Sequence, residues 1–233
     1  MVNKLKEDLQ NLKDPKKAVI LQGFFKTGKG QYGEGDIFLG IVVPLQRKIS
    51  RKYQTLKLRD LKKLLAANIH EYRLTALFIL VSKYEKADEK EKKEIFDFYL
   101  KNTKGINNWD LVDLSAPKIV GDYLFHKPKQ RGVLYKFAGS TNLWKKRIAV
   151  LATFAFIKNN QLEDTLKIAE ILLNDDHDLI HKAVGWMLRE MGKKNQKTEE
   201  KFLKKYYKTM PRTMLRYAIE KFDKSKRDFY LER

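Results

Sequence analysis

The chain has 233 residues, of which 43% are hydrophobic, so it can bury a sizeable core and is too apolar for a disordered protein. It contains no cysteine, which excludes disulfides and thiolate metal sites. Lysine and arginine number 49 against 29 acidic residues, a formal net charge of +20. A domain this basic favours a polyanionic partner, most commonly nucleic acid; the alternative is a lysine-rich composition without such a partner.

The first residues are amphipathic and charged, without an apolar run of the signal-peptide type. No segment approaches the roughly 20 apolar residues that a transmembrane helix requires. We therefore expect a cytoplasmic protein that makes no membrane contact.

Helical periodicity runs through almost the whole sequence, whereas strand-like alternation is scarce. Turn signals separate the segments. The predicted helices span residues 3–11, 15–26, 44–53, 58–67, 71–84, 88–100, 115–125, 129–138, 143–158, 162–173, 179–191, 198–209 and 212–222, together with the segment that follows Asn108. The fold class is therefore all-α.

Residues 27–36 contain four glycines in eight positions and predict a loop or a small hairpin. Gly23, Gly28 and Lys29 match the phosphate-loop spacing, but Gly30 stands where that motif needs Ser or Thr, and the preceding segment is helical. We reject a nucleotide site. A basic loop carrying Lys29 and Gln31 could approach a DNA backbone closely, or it could be a simple connector.

The helices repeat along the chain. Arg73, Arg147, Lys182 and Arg216 each lie just before a small residue in an apolar helix, at separations of 74, 35 and 34 residues. The first interval is about two periods, and its missing register falls near residue 110. A period in the middle thirties with two helices per unit predicts a single α-solenoid domain over residues 1–233. The second helix of each pair would line one concave face.

Trp109 and Asp113 are four residues apart, so on a helix they share one face. A carboxylate in a basic, DNA-facing groove suggests chemistry at a cationic centre. Cleavage of an N-glycosidic bond passes through an oxocarbenium-like sugar, which a carboxylate can stabilise. The structural alternative is a helix capped by Asp110 or Asn108, with Trp109 packed into the core.

The three tryptophans fall at or near second-helix positions of the repeat. An indole face can stabilise a cationic sugar by cation–π attraction. We expect Trp109 and Trp186 in the groove and Trp144 in the core.

Four sequence elements together resemble the AlkD family of DNA alkylation repair proteins over nearly the whole chain. They are Phe38-Leu39-Gly40-Ile41 leading to Pro44, Trp109-Asp110-x-x-Asp113, Trp144-x-x-Arg147, and Lys182-Ala-x-Gly-Trp186-x-Leu-Arg189-Glu190. The resemblance implies a right-handed α-solenoid of HEAT-like repeats with a basic concave DNA-binding face.

The resemblance also implies an activity. Active members excise N3- and N7-alkylated purines from duplex DNA without metal or cofactor, and the damaged base is not drawn into a pocket. Carried over, Asp113 would be the catalytic carboxylate, Trp109 and Trp186 the aromatic walls against the deoxyribose, and Arg147 a phosphate clamp. The remaining expected DNA contacts are Lys29, Gln31, Arg73, Lys182, Arg189 and Arg216. We expect a monomer associated with the nucleoid through its DNA.

Two other functions stay open. The 27–36 loop is longer than the corresponding connection in the best-matching excising members, and relatives with such insertions resemble binders of unusual or branched DNA. The chain could therefore bind damaged or branched DNA without catalysis. A third interpretation is that the chain is a helical-repeat scaffold that binds an acidic protein.

A zinc site at His177 and His181, four residues apart and close to Asp175, Asp176 and Asp178, is conceivable. The favoured interpretation is an acidic helix N-terminus that complements the helix dipole, and no metal site is predicted.

Overall fold

A computed structural model describes residues 1–232, and within them every regular element is helical. The only extended pairing in that range is an isolated bridge between Ile37 and Ile69. The helices are α1 Val2–Gln10, α2 Pro15–Phe24, α3 Val43–Lys52, α4 Leu58–Leu65, α5 His70–Lys86, α6 Glu89–Lys101, α7 Trp109–Ala116, α8 Asp122–His126, α9 Gly132–Ala138, α10 Leu143–Lys158, α11 Glu163–Ile171, α12 Asp178–Lys194, α13 Gln196–Tyr206, α14 Arg212–Ala218 and α15 Lys224–Leu231. The predicted all-α class is confirmed.

The chain divides into two compact units. The first covers Met1–Ser115, and the second runs from Ala116 to the end of the described chain. In both, a shorter helix is followed by a longer one that packs against it, as with α4 and α5 or α11 and α12. This pairing agrees with helical repeats. The single domain, the handedness and the basic concave face stay predictions.

In the first unit, the segment between α2 and α3 is fixed by a buried acid on α5. The backbone N–H groups of Leu39, Gly40 and Ile41 all donate to the carboxylate of Glu71, at 2.8–3.2 Å. Because those three amides would otherwise be buried without acceptors, this carboxylate offsets their desolvation. The contact explains why a Phe-Leu-Gly-Ile element stands before α3.

Gly40 could not be replaced within this arrangement. Its φ of +86° lies in the left-handed region. A Cβ built there would lie 2.1 Å from the carbonyl oxygen of Asp14, the residue that caps α2. Both its conformation and its packing therefore require glycine.

In the second unit, α12 packs against α10 and α14. Gly185 permits the close approach of α14, since a Cβ there would lie 2.4 Å from the carbonyl oxygen of Met214. Gly121 does the same for α10, where Ala152 O would lie 2.3 Å away. The glycine in the Gly-Trp element is thus a packing requirement.

Most predicted boundaries agree with the structure, and α10 spans the predicted residues 143–158. The predicted helix 115–125 contains a π-helical turn, Pro117–Gly121, because Pro117 has no N–H for the regular ladder. Helix α15 was not predicted, since its sequence is dominated by polar residues.

None of the helices within residues 1–232 combines the length and the apolar character needed to cross a bilayer.

Candidate functional site

Helix α7 carries the predicted Trp-Asp-x-x-Asp element, and its first residue is Trp109. Asn108, immediately before it, is fully buried; its side-chain oxygen accepts from Trp109 N at 2.8 Å, and its carbonyl accepts from Val112 N. Of the two capping candidates, Asn108 therefore occupies the start of the helix. Asp110 lies inside the first turn of α7, and its carboxylate contacts the His70 ring.

Trp109 is half-buried and packs on an aromatic cluster from the first unit. Its ring stacks on Phe25, with centroids 5.0 Å apart and planes 13° apart, and Phe24 meets it edge-on at 5.9 Å. Phe25 in turn stacks on Phe38. The indole is thus held rigidly on one side, as the packing alternative expected, while part of it remains accessible.

Asp113 lies one turn further along α7 and is partly exposed. The α-helical spacing of i and i+4 places it on the same face as Trp109. The neighbouring Tyr99 is fully buried and hydrogen-bonded to Ser115 at 2.9 Å. Burial, with a contribution from the Asp113 charge, raises the pKa of Tyr99 well above its ordinary value, so its phenol stays neutral.

Beneath α7 lies a buried network of four charged groups, which we call the charged frame: Asp36, His70, Arg73 and Asp110. His70 Nε2 lies 2.8 Å from Asp110 Oδ2, and its Nδ1 lies 3.2 Å from Asp36 Oδ2. Arg73 Nη2 donates to Asp36 at 2.6 Å. The frame ties the first turn of α7 to the start of α5 and to the end of the glycine-rich loop.

The pKa directions show how the charges in the frame support one another. Burial opposes charge on the His70 ring, but the charge of Asp110 and the hydrogen bonds that the ring donates to both carboxylates raise the pKa of His70 above its ordinary value. Burial likewise opposes charge on Asp36, yet hydrogen bonding to His70 and the Arg73 cation lower its pKa. Arg73 and Asp36 are therefore buried as an ion pair, and the His70 ring lies between the carboxylates of Asp36 and Asp110.

Sequence reasoning missed Asp36 and His70. The available signals were an acid at the end of a glycine-rich loop and the His70-x-x-Arg73 spacing, which places both side chains on one helical face. Neither signal identifies the partner, because Asp36 is distant in sequence from both residues.

Arg73 does not occupy the open face that the repeat predicted. It is 3% exposed, and its guanidinium donates to Asp36 and to the carbonyl of Ala67. The prediction that Arg73 lies on the surface is therefore wrong, because the buried Asp36 charge requires a cation beside it.

The glycine-rich loop is a series of hydrogen-bonded turns and contains no hairpin. Gly33 N donates to Lys26 O at 3.0 Å, and Gly30 N donates to the Glu34 carboxylate at 2.8 Å. Lys29 and Gln31 are both exposed on this loop, as an approach to a DNA backbone would require. The loop ends at Asp36, so the charged frame anchors it.

In the second unit, Trp186 lies on α12 and is half-buried. Its indole N–H donates to Glu190 at 3.2 Å, and Phe154 packs near its ring with centroids 6.1 Å apart. Trp144, which we expected in the core, is 7% exposed there. Glu190 and Phe154 thus orient the Trp186 ring, whereas its role against the deoxyribose stays a prediction.

The predicted cations of the second unit have local partners. Arg147 is 5% exposed and donates to Leu179 O at 2.6 Å, so its exposure alone does not support the phosphate-clamp role. Lys182 pairs with Asp178 at 2.6 Å. Arg189 pairs with Glu220, whereas Arg216 is exposed.

The histidine pair forms helix-end contacts. His177 caps α12 by accepting from Leu179 N at 3.1 Å, and the His181 ring bonds to Asp175 O.

A family model described as "DNA alkylation repair enzyme" matches residues 5–222. The fold is also similar to a solved structure described as "Predicted DNA alkylation repair enzyme from Enterococcus faecalis", with a TM-score of 0.71 at 18% identity, covering 91% of this chain and 97% of that one. At this identity the likeness concerns the fold. No curated protein matches the sequence significantly.

Proposed function

Because this chain belongs to the DNA alkylation repair enzyme family, we propose that it is a DNA glycosylase that releases N3- and N7-alkylated purines from duplex DNA. The observation that carries the proposal is the pairing on α7 of a half-buried indole with a partly exposed carboxylate one turn away. In a chain of net charge +20, a carboxylate kept on a DNA-binding surface weakens phosphate binding, and a catalytic role accounts for it.

The reaction needs little from the protein besides electrostatic stabilisation. Alkylation at N3 or N7 makes the purine cationic, so when the C1′–N9 bond breaks, the bonding electrons neutralise the base and no general acid is required. The positive charge moves to the deoxyribose, where Asp113 stabilises it and Trp109 contributes cation–π attraction. Water adds to C1′, and its proton is lost through the carboxylate to solvent.

A base that needs no protonation also needs no pocket of its own. We therefore propose that the lesion stays in the duplex and that the site acts on the sugar from outside the stack, unlike base-flipping glycosylases. This requires a carboxylate held in a fixed place beside the deoxyribose. The charged frame under α7 supplies that rigidity through His70 and Asp110.

The duplex itself is proposed to bind through its phosphates. Lys29, Gln31 and Arg216 are exposed, and Lys182 and Arg189 reach the surface while paired with acids that a phosphate could displace. Trp186 and Arg147 are proposed as further contacts of the second unit. Binding should then weaken steeply with salt, because phosphate contacts release counterions.

Release of free N7-methylguanine tests the reaction directly. A duplex oligonucleotide with one N7-methylguanine is incubated with excess protein, and the free base is quantified against a lesion-free duplex. We expect single-turnover release without added metal or cofactor. Tight binding of this duplex without any release would contradict the glycosylase proposal.

A second candidate is a non-catalytic protein that binds damaged or branched DNA. The observation that favours it is the anchored 27–36 loop, on which Lys29 and Gln31 are exposed to solvent. This function predicts a preference for a four-way junction over a linear duplex of equal length, and the preference should fall when Lys29 and Gln31 are both replaced by alanine. Equal binding of junction and linear duplex would exclude it.

A further inference from the structure

A pocket of about 410 Å³ lies in the first unit, where the turns after α4 and α6 meet. No acidic residue is among the described residues that line it. We call it the lysine pocket, and its polar lining includes Lys62, Asn68, Arg73, Lys101, Lys104 and Asn107.

Helix ends explain some of its charge. Lys62 and Lys101 belong to the last turns of α4 and α6, where cations complement the partial negative charge of the terminal carbonyls. Lys104, in the short 3₁₀ turn between α6 and α7, adds a third exposed ammonium. Dipole complementation accounts for the two lysines at helix ends, but it does not account for the buried cationic group that also lines the pocket.

That group is Arg73. Its two terminal nitrogens donate to Ala67 O and Asp36, but its buried Nε–H has no acceptor within the described chain. A buried donor without a partner costs roughly 1–3 kcal/mol, more for a charged group. Because Arg73 also lines the pocket, an acceptor that enters it lies close to the guanidinium charge.

Asn107 also lines the pocket, and its buried side-chain oxygen has no donor within residues 1–232. Because amide oxygen and nitrogen are interchangeable by a half-turn, the reversed orientation would present N–H groups instead. A ligand rich in acceptors would select that orientation.

We propose that the lysine pocket binds a phosphate group. The oxygens of one phosphate would accept from the Arg73 guanidinium and the Asn107 amide, while the three lysines supply charge around it. The phosphate belongs either to a DNA backbone or to a free phosphate-bearing molecule. Phosphate binding in this pocket does not involve Asp113, so the proposal stands whether or not the protein excises bases.

Two triple variants with equal charge change separate the pocket from general electrostatics. Lys62→Gln/Lys101→Gln/Lys104→Gln removes the pocket lysines and leaves Arg73 to hold Asp36. Lys83→Gln/Lys86→Gln/Lys90→Gln is the matched control on α5 and α6 of the same unit. Thermal unfolding first establishes that both variants are folded, and affinity for an undamaged duplex is then measured across a salt series.

If the pocket holds a backbone phosphate, the pocket variant loses about tenfold in affinity relative to the control at low salt. Its slope of log affinity against log salt also becomes shallower by about 1, the contribution of one phosphate contact. The control variant retains the wild-type slope.

Titration with inorganic phosphate distinguishes the second source. In ¹H–¹⁵N spectra of the wild type, phosphate should move the Arg73 Nε–H and Asn107 side-chain signals, and the pocket variant should lose this saturable shift. A saturable shift without any slope difference would support a site for a free phosphate group. The proposal is overturned if neither the slope nor these signals distinguish the pocket variant from the control.

Discussion

Each unit contains a buried carboxylate whose environment differs sharply from that of the other. Asp36 in the first unit is 6% exposed and is held by His70 and Arg73, so its pKa is lowered. Glu199 in the second is 1% exposed, and its Oε1 has no hydrogen-bond partner in the described chain. Burial, with the neighbouring Glu200 charge, raises the pKa of Glu199 to about 8, against the weaker pull of Arg189.

The comparison separates a carboxylate that positions a helix from a carboxyl group whose ionisation costs stability. Asp36, at the end of the glycine-rich loop, contacts His70 and Arg73 on α5 and accepts from Asn108 just before α7, and the same frame holds Asp110 next to the proposed site. Glu199 fits the space that Gly192 leaves on α12, but within residues 1–232 its Oε1 receives no donor. Burial alone therefore does not indicate function; the partners do.

The largest effect is expected from Asp36→Ala. It leaves the buried Arg73 guanidinium without its anion and removes one hydrogen-bond partner of His70, and breaking a buried pair in this way costs about 3–5 kcal/mol. Urea unfolding measures the loss. Asp97→Asn, which removes an exposed ion pair with Lys93, should cost no more than about 1 kcal/mol. Equal losses in the two variants would show that the frame does not stabilise the unit.

A somewhat smaller effect is expected from Gly40→Ala, which disturbs the other partnered carboxylate, Glu71. The new Cβ meets Asp14 O in a left-handed backbone, and the combined strain and overpacking cost about 3 kcal/mol. Gly30→Ala is the control, since Gly30 has a φ of +76° but open space around it. We expect about 1 kcal/mol there from denaturant unfolding. A similar cost at both glycines would mean that the close approach to Asp14 is unimportant.

The smallest effect, and the only gain, is expected from Glu199→Gln. A carboxyl whose pKa is about 8 when folded and about 4.5 when unfolded stabilises the fold below pH 4.5 and loses that contribution as pH rises to 8. Wild-type stability should therefore fall by up to about 1.4 kcal/mol per pH unit in this window relative to the variant. At pH 8 the variant should therefore be the more stable of the two.

Unfolding curves at pH 4.5 and pH 8 check this sign, with the exposed Glu94→Gln as a control that should not alter the pH dependence. A Glu199→Gln variant that gains nothing between these two pH values would show that the native carboxyl has donors after all. The contrast with Asp36 would then disappear. Asp36 should show the opposite trend, since its stabilisation is present above its ordinary pKa and is lost as pH falls through the lowered one.

The sequence predicted what periodicity and local spacing determine. Helix α10 was placed correctly because its apolar residues recur with the helical period, and the i, i+4 spacing put Trp109 and Asp113 on one face of α7. The same period put Arg73 at a rung of the repeat but could not say which neighbour it faces. Its partner Asp36 is distant in sequence, and a pairing across that separation depends on packing, which composition does not encode.

Glycines show the same limit. The sequence marked Gly40 and Gly185 as parts of family-like elements, yet the reason for each is a backbone carbonyl from another element that leaves no room for a side chain. The charged frame was missed on the same ground, because a lone histidine such as His70 has many ordinary explanations until its neighbours are known. Local patterns predicted the helices, whereas long-range contacts decided which charged residues stay at the surface.

The most direct measurement of the central claim compares Asp113→Asn with the wild type on a duplex carrying one N7-methylguanine. Single-turnover release and DNA affinity are measured on the same preparations, beside Asp97→Asn. We predict that Asp113→Asn loses release by about 100-fold or more, while its affinity for the duplex stays equal or rises because a negative charge is removed. Release by Asp113→Asn at the wild-type rate would contradict the assignment of the chemistry to α7.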